Sequence, residues 1–289
     1  MLAEKNTFSF LVKEKFDRLS ASQKKVAEYL LENLDRAAFS TAVQIAREVN
    51  VSETTVIRLS YALGFGGFSE MLEQIRDQVL QNNTAGTIEV EDSGTPLSQM
   101  DDPLAKVAEK EISMIRQSLS QLNMQDIWAA VDALIKADKV LVVGYRASYA
   151  VAYWFNFMLG MMRDNVYLCP SAGETSEKAV GLTDKSIVFA IFFPRYSKET
   201  LQLAEYAKSQ GAGLISATDR FLSPIGRISD ITFSTGINTD SSTGTASMAA
   251  VMSMLNTIFV GIQMKDPERV LARQESVEQF YTNYSPFIE

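Results

Sequence analysis

Histidine is missing altogether from these 289 residues, and cysteine occurs once, as Cys169. The first absence removes the commonest metal ligand and general base. The second excludes an internal disulfide and a cysteine-rich zinc site, so a reducing compartment fits and no metal or cofactor is expected. Nor is there an excess of positive charge. The formal charge is −8 and the isoelectric point about 4.9, so Lys and Arg do not coat the surface and any contact with nucleic acid has to be local. Even residues 1–80 carry ten Lys or Arg against eleven Asp or Glu. Apolar runs fall short of the ~18 residues of a spanning helix. The opening MLAEKNTFSF has no basic start followed by an apolar stretch, so neither membrane anchor nor export signal is expected and the cytoplasm is the expected location.

What is present suffices for two cores, since 46% of the chain is hydrophobic and its length exceeds one average domain. Through residues 10–80 apolar side chains recur three and four apart, as in Val26, Ala27, Leu30, Leu31 and Leu34, which predicts helices. The periodicity breaks at QNNTAGTIEVEDSGTPLSQMDDP, residues 81–103, where Gly, Pro, Asn, Ser and acidic residues take over. The expected organisation is a helical domain over 1–80, a linker over 81–103 and a second domain over 104–289. Helical spacing returns at 104–137, and then short β-branched runs alternate with helical segments. KVLVVG (139–144), SIVFAIFF (186–193), GLISAT (213–218) and DITFST (230–235) read as buried parallel strands, and NVYLCP (165–170) as a further one. With helices expected over 148–162, 198–210 and 243–262, the order implies an α/β three-layer sandwich with a parallel, doubly wound sheet.

Within the first domain, STAVQIAREVNVSETTVIRLSYALGF (40–65) has the arithmetic of a helix-turn-helix. One helix carries Val43, Ile45, Ala46 and Val49 inward, Asn50 and Val51 turn the chain, and Ser52 caps a second helix running to about Leu63. There Val56, Leu59 and Leu63 form the buried stripe, which leaves Glu53, Thr54, Thr55, Arg58 and Tyr61 outward. Hydroxyls and an Arg on an exposed helix face suit phosphates and base edges. The pattern by itself describes two ordinary amphipathic helices equally well. The segments LSASQKKVAEYLLENL and VNVSETTVIRLSYALGFGGFSEM, however, resemble the N-terminal domain of the RpiR/MurR family of bacterial transcriptional regulators. There a Ser-x-x-Thr-Val-x-Arg helix is followed by Leu-Gly-Phe-x-Gly-Phe. The resemblance spans roughly residues 16–80 and implies that Ser52, Thr54, Thr55 and Arg58 face operator DNA, with Lys24 and Lys25 near phosphates or simply solvated. Gly64 is expected to end the second helix in a left-handed conformation, with Phe65 and Phe68 packing the returning chain.

Residues 104–289 are similar to the sugar isomerase (SIS) domain that follows in such regulators, which implies a sugar-phosphate site at the carboxyl ends of the strands. Two loops depart from the family pattern. Gly-x-Gly-x-Ser reads Gly144, Tyr145, Arg146, Ala147, Ser148; in FFPRYSKE (192–199), Phe192 and Pro194 replace serines and Arg195 replaces a glycine, while Ser197 and Glu199 keep their types. Pro194 donates no N–H to a phosphate nest. The loops offer two guanidinium groups instead, which suit carboxylate as well as phosphate, so the expected ligand is a small anionic metabolite. Candidate ligand contacts are Tyr145, Arg146, Ser148, Arg195, Ser197, Glu199, Thr218, Ser241 and Ser242. Two alternatives stay open at this point. The serines can be ordinary helix caps, and the arginines can be ion-paired with Glu174, Glu177 or Asp219. The expected partners are double-stranded operator DNA, the effector and further copies of the chain in a homodimer or homotetramer. The competing readings are a phosphosugar isomerase-like enzyme and a helical oligomerisation module.

Overall fold

The computed structural model describes residues 7–84, 103–169, 178–236 and 247–284, which fall into two compact units, one within residues 3–90 and the other within 91–289.

The first unit is helical: α1 (Phe8–Lys15), a 3-10 turn (Phe16–Arg18), α2 (Ala21–Glu32), α3 (Leu34–Ala37), α4 (Ala42–Val49), α5 (Glu53–Leu63) and α6 (Phe68–Thr84). Capping explains why the helices start where they do. Ser20 with Gln23, and Thr41 with Gln44, form reciprocal capping boxes at the starts of α2 and α4, each satisfying an otherwise orphaned amide at both positions. α4 stops because Asn50 turns left-handed, with φ 55°, and the N–H groups of Asn50 and Val51 bond back to Arg47 and Ala46. α5 stops the same way at Gly64, with φ 94°, where Phe65 N–H reaches Ser60 O and Gly64 N–H reaches Tyr61 O. Lys15 Nζ donates to the Leu63 carbonyl at 2.8 Å, placing a cation at the negative end of α5. The core between these helices is built from Phe8, Val12, Val26, Leu30, Ile45, Val56, Leu59, Leu63, Met71 and Ile75.

Two expectations need correction here. Val43 is exposed, because the inward stripe of α4 is Ala42, Ile45 and Ala46, and a residue one position on from Ala42 lies about 100° around the helix. Helix α6 also runs through Thr84, four residues into the stretch read as linker; residues 85–102 of that stretch lie outside the described residues.

The second unit begins with α7 (Pro103–Ser120), whose proline occupies the first helical position, where no N–H is needed. It continues through α8 (Met124–Lys136), β1 (Val140–Val143), α9 (Ser148–Gly160), β2 (Val166–Leu168), β3 (Ile187–Phe192), α10 (Lys198–Ser209), β4 (Gly213–Thr218), β5 (Ile231–Ser234), α11 (Met248–Lys265) and α12 (Pro267–Tyr284). All five strands are parallel, in the order β2-β1-β3-β4-β5. Both faces of the sheet are covered, so its strands read as continuous apolar runs. Val140, Val142, Phe189, Ile215 and Phe233 pack with α8, α9 and α11, whereas Leu141, Val143, Val188, Phe192 and Leu214 pack with α10. A buried arginine closes one corner: Arg163 donates to the carbonyls of Leu134 and Ala137 at the end of α8, satisfying groups that the helix leaves unbonded, and to the carbonyl of its neighbour Asp164. α11 is long and apolar enough to cross a membrane by composition, contrary to the expectation that no run approaches that length, and nearly half of it (44%) is buried within its own unit. α12 had no counterpart in the sequence reading.

Candidate functional sites

On α5, Glu53, Thr54, Arg58 and Tyr61 stand in solvent and Thr55 is half-buried, while Val56, Leu59, Ser60 and Leu63 face the core. Ser52 Oγ accepts from the Thr55 N–H at 3.3 Å and lies 2.9 Å from Thr55 Oγ1, so both hydroxyls help to start the helix. The Arg58 guanidinium has no hydrogen-bond or ion-pair partner among the described residues. Lys24 is less available, because its ammonium sits 5.1 Å from the centre of the Phe16 ring. Arg36 and Glu48 form an ion pair that ties α3 to α4.

In the second unit the chain passes from β1 out to β2 and back across to β3, so the strand order reverses between β1 and β3. At such a switch point the two following loops diverge and leave a crevice. Those loops carry Arg146 and Arg195. Both are in the left-handed region, with φ 58° and 67°, a conformation that is costly for a residue with a Cβ and natural for glycine. The arginines thus stand where the resembled loops carry glycine, in a conformation that glycine adopts without strain. Their side chains are exposed, and neither guanidinium has a partner among the described residues. Asp219 pairs with Arg220 instead, at 3.6 Å. Glu174 and Glu177 lie outside the described residues, as do Ser241 and Ser242.

Ser148 opens α9 without capping it: Ala147 occupies the cap position, and no side chain accepts from the first amides. Gly144 is required by close approach, since a Cβ there would lie 2.9 Å from Ser148 O and 3.2 Å from Ile191 Cβ. Gly144→Val is therefore expected to destabilise the unit by about 1–3 kcal/mol through overpacking, read as a lowered melting temperature of the purified protein. Ser197 caps α10, accepting from Thr200 N–H at 3.4 Å, with Glu199 exposed in the first turn. Tyr145 is buried on the α10 side of the sheet, its hydroxyl 3.5 Å from Cys169 Sγ, and underlies the crevice. Thr218 is enclosed as well, its hydroxyl 3.1 Å from Asp219 Oδ1 and 3.0 Å from Ser223 Oγ.

The sequence reading missed Tyr196. Its ring stacks on Phe192 at 4.7 Å and its hydroxyl lies 2.8 and 2.9 Å from the two carboxylate oxygens of Asp219. Burial pushes the phenol up to about 12, the Asp219 carboxylate adding to the shift and Arg220 opposing it. Because Tyr196 follows Arg195, this clamp fixes the chain immediately after the left-handed residue.

A capped helix pair presenting an unpartnered arginine, together with a doubly wound sheet, defines a helix-turn-helix transcriptional regulator with an α/β domain. The helix-turn-helix domain of the rpiR family matches residues 9–82, and the SIS domain matches residues 133–260. The chain is 28% identical over 226 residues (76% of this chain, 77% of the other) to an HTH-type transcriptional regulator of Caldanaerobacter subterraneus. It is 25% identical over 260 residues (87% and 88%) to one of Bacillus subtilis. Among solved structures, the sugar isomerase domain of an RpiR transcription factor from Sphaerobacter thermophilus is similar, with TM-score 0.57, 25% identity, and coverage of 61% of this chain and 98% of that one. NanR of Vibrio vulnificus, complexed with ManNAc-6P, shares the fold over 96% of this chain and 99% of its own, at TM-score 0.57 and 17% identity. The chain belongs to the RpiR family of transcriptional regulators.

Proposed function

We propose that this regulator controls a metabolic operon in the cytoplasm and that a small anionic metabolite, a sugar phosphate or a carboxylate, sets its affinity for DNA. Two copies read an inverted repeat, each placing α5 in a major groove, with half-sites about 34 Å apart. Arg58, Thr54 and Tyr61 supply contacts to bases and phosphates, and Ser52 and Thr55 hold the start of the helix against the backbone. The effector lies over the mouths of β1 and β3, between Arg146 and Arg195, near the uncapped amides of α9 and Ser148. Ser197 and Glu199 border it.

The observation that carries this reading is the pair of left-handed, unpartnered arginines at the switch point. A strained conformation held twice, at adjacent strand mouths, is the kind of feature found where a ligand is clamped. A regulator is favoured over an enzyme by the rpiR-family helix-turn-helix over residues 9–82 and by relatives that are named transcriptional regulators. The effector acts by binding two states of the protein with different affinity, and a difference of about 1–3 kcal/mol suffices to change operator occupancy.

The test is a thermal-shift screen over sugar phosphates, sugar acids and small carboxylates, followed by gel shifts on genomic fragments with and without the hit. A ligand at a hundred times its dissociation constant should stabilise the protein by about 2.7 kcal/mol. Turnover of a phosphosugar, with no effect on DNA binding, would establish the enzyme instead. Cleavage within residues 85–102 is expected to release a C-terminal fragment that folds and keeps the effector response in the thermal assay. The apolar clusters of that unit draw, among the described residues, on 122–270, so a fragment without a cooperative melt would show that the second unit does not stand alone.

A further inference from the structure

α7 is attached to its unit differently from the helices around it. α8 buries Ile127, Ala130, Val131 and Leu134, and α11 buries Val251, Met254, Leu255 and Ile258. On α7, among the described residues, only Ser118 is fully buried, while Leu104, Val107 and Ile112 are exposed. Polar contacts hold the helix instead, and they reach two places. At the start of α11, Ser247 Oγ donates to Glu111 Oε2 and accepts from the Ala250 N–H at 3.1 Å, so one hydroxyl both caps α11 and ties down α7. At the mouth of β5, Gln117 Nε2 donates to Gly236 O at 3.1 Å and Ser118 Oγ to Thr235 O at 3.2 Å. Gly236 is left-handed there, with φ 60°, and the Gln121 side-chain amide fills the space a Cβ would need.

A helix with few buried apolar contacts opens at lower free energy than the core it lies on. Its anchors sit at the carboxyl edge of the sheet. Thr235 and Gly236 follow β5, and Glu111 lies seven residues before Ser118, about 10 Å along α7, which sets the start of α11 close to that mouth. α11 in turn packs beside α9, with Phe259 5.0 Å from Phe155 and 5.4 Å from Trp154 between ring centres. Arg146 and Arg195 follow β1 and β3 at the same edge. Glu111 therefore puts a negative charge on the edge where an anion is proposed to bind, and like charges oppose one another. α7 is also the first element after residues 85–102, through which the chain runs on from the DNA-reading unit.

We propose that α7 is a releasable strap, clasped by Glu111 on Ser247 and by Gln117 and Ser118 on the mouth of β5, and that an anion at the strand mouths weakens the clasp and so changes operator affinity. This rests on the effector reading above and adds the element that carries the signal. Glu111 acts here as a positioning residue: its contact is with Ser247, and its charge is what the anion opposes. By linkage, a variant that opens the clasp without any anion shifts operator affinity in the direction the effector does.

The experiment is hydrogen exchange read by mass spectrometry on the full-length protein, comparing the parent with Glu111→Ala and Glu111→Gln. In the parent, α7 amides are expected to exchange at least about tenfold faster than those of α8 and α11. Glu111→Ala leaves Ser247 without its acceptor, so α7 exchange should rise further while α8 and α11 keep the parent rate, and operator affinity without effector should change by at least about fivefold. Glu111→Gln keeps an acceptor oxygen and should hold α7 at the parent rate. Inorganic phosphate, against sodium chloride at equal ionic strength, stands in for the anionic group of the effector. It should speed α7 exchange in the parent and leave Glu111→Gln unmoved, because the amide carries no charge to oppose. If Glu111→Ala does not fold, Gln117→Ala, an exposed side chain, opens the other end of the clasp. An α7 as protected as α11, or a folded alanine variant with the parent's α7 exchange and operator affinity, overturns the proposal. So does phosphate that protects residues 144–148 and 193–197 without moving α7. Loops that neither phosphate nor any anion of the thermal-shift screen protects, in a protein whose operator affinity Glu111→Ala still changes, would sink the effector reading and leave the strap.

Discussion

Arg58→Ala is expected to abolish specific operator binding while the protein melts at the parent temperature. The stability half follows from placement: Arg58 stands in solvent on α5, outside the Val56, Leu59 and Leu63 stripe, and no described residue holds its guanidinium. Surface substitutions of that kind change stability by about 0.5 kcal/mol or less. The binding half follows from the direction of the helix. The left-handed turns at Asn50, between α4 and α5, and at Gly64, after α5, fix how the chain enters and leaves the second helix, so the exposed side of α5 is held at one angle. A lost base contact costs about 1–3 kcal/mol per half-site, and two half-sites bring the loss to at least about 30-fold. Gel shifts or fluorescence anisotropy on the operator measure it, and competition with random DNA separates a base contact from a phosphate contact. An Arg58→Ala protein that is folded and binds the operator like the parent would remove α5 from the DNA.

The parts of the fold that sequence disclosed are those whose cause is local. Ser52 and Gly64 act on their own helix ends, and the apolar runs that became β1, β3, β4 and β5 are buried on both faces, so their pattern needs no partner to be recognised. Val43 failed because helical spacing gives a stripe but not its rotation; whether Ala42 or Val43 faces inward is decided by the packing of α4 against α2 and α5, which is long-range. α12 carries a single buried residue, Val270, and so presents no apolar periodicity to detect. In the effector site, Arg146 and Arg195 were legible as residue types, but their backbone conformation was not, because φ is set by the loop. The Tyr196–Asp219 contact joins residues 23 apart in the chain, on different strand mouths. The only trace of it beforehand was an aromatic four residues after Phe192 and an acid directly after the third long strand, and many loops show as much. Ser148 looked like a cap because serine at a helix start usually is one; the residue that took the cap position, Ala147, has no side-chain acceptor to offer.

The loss of both arginines separates a ligand clamp from an architectural pair, and it does so in two measurements that move in different directions. Arg146→Ala with Arg195→Ala is expected to leave operator affinity without effector unchanged. It should weaken effector binding by at least about a hundredfold, since charge-assisted hydrogen bonds contribute about 1.5–3 kcal/mol each and two are removed. Titration calorimetry with the screened effector reads this directly. The left-handed backbone supplies the second measurement. With φ at 58° and 67°, each arginine holds a conformation that disfavours a Cβ by about 1–2 kcal/mol, whereas glycine adopts it freely and gives back only about 0.4–1 kcal/mol through the greater freedom of the unfolded chain. Arg146→Gly and Arg195→Gly should therefore melt at or above the parent temperature while losing the effector, the pattern of a site that keeps strain for the sake of its ligand. If the arginines were held by structural ion pairs, the glycine variants would melt lower and bind the effector as before, and the switch point between β1 and β3 would have to be given up as the site.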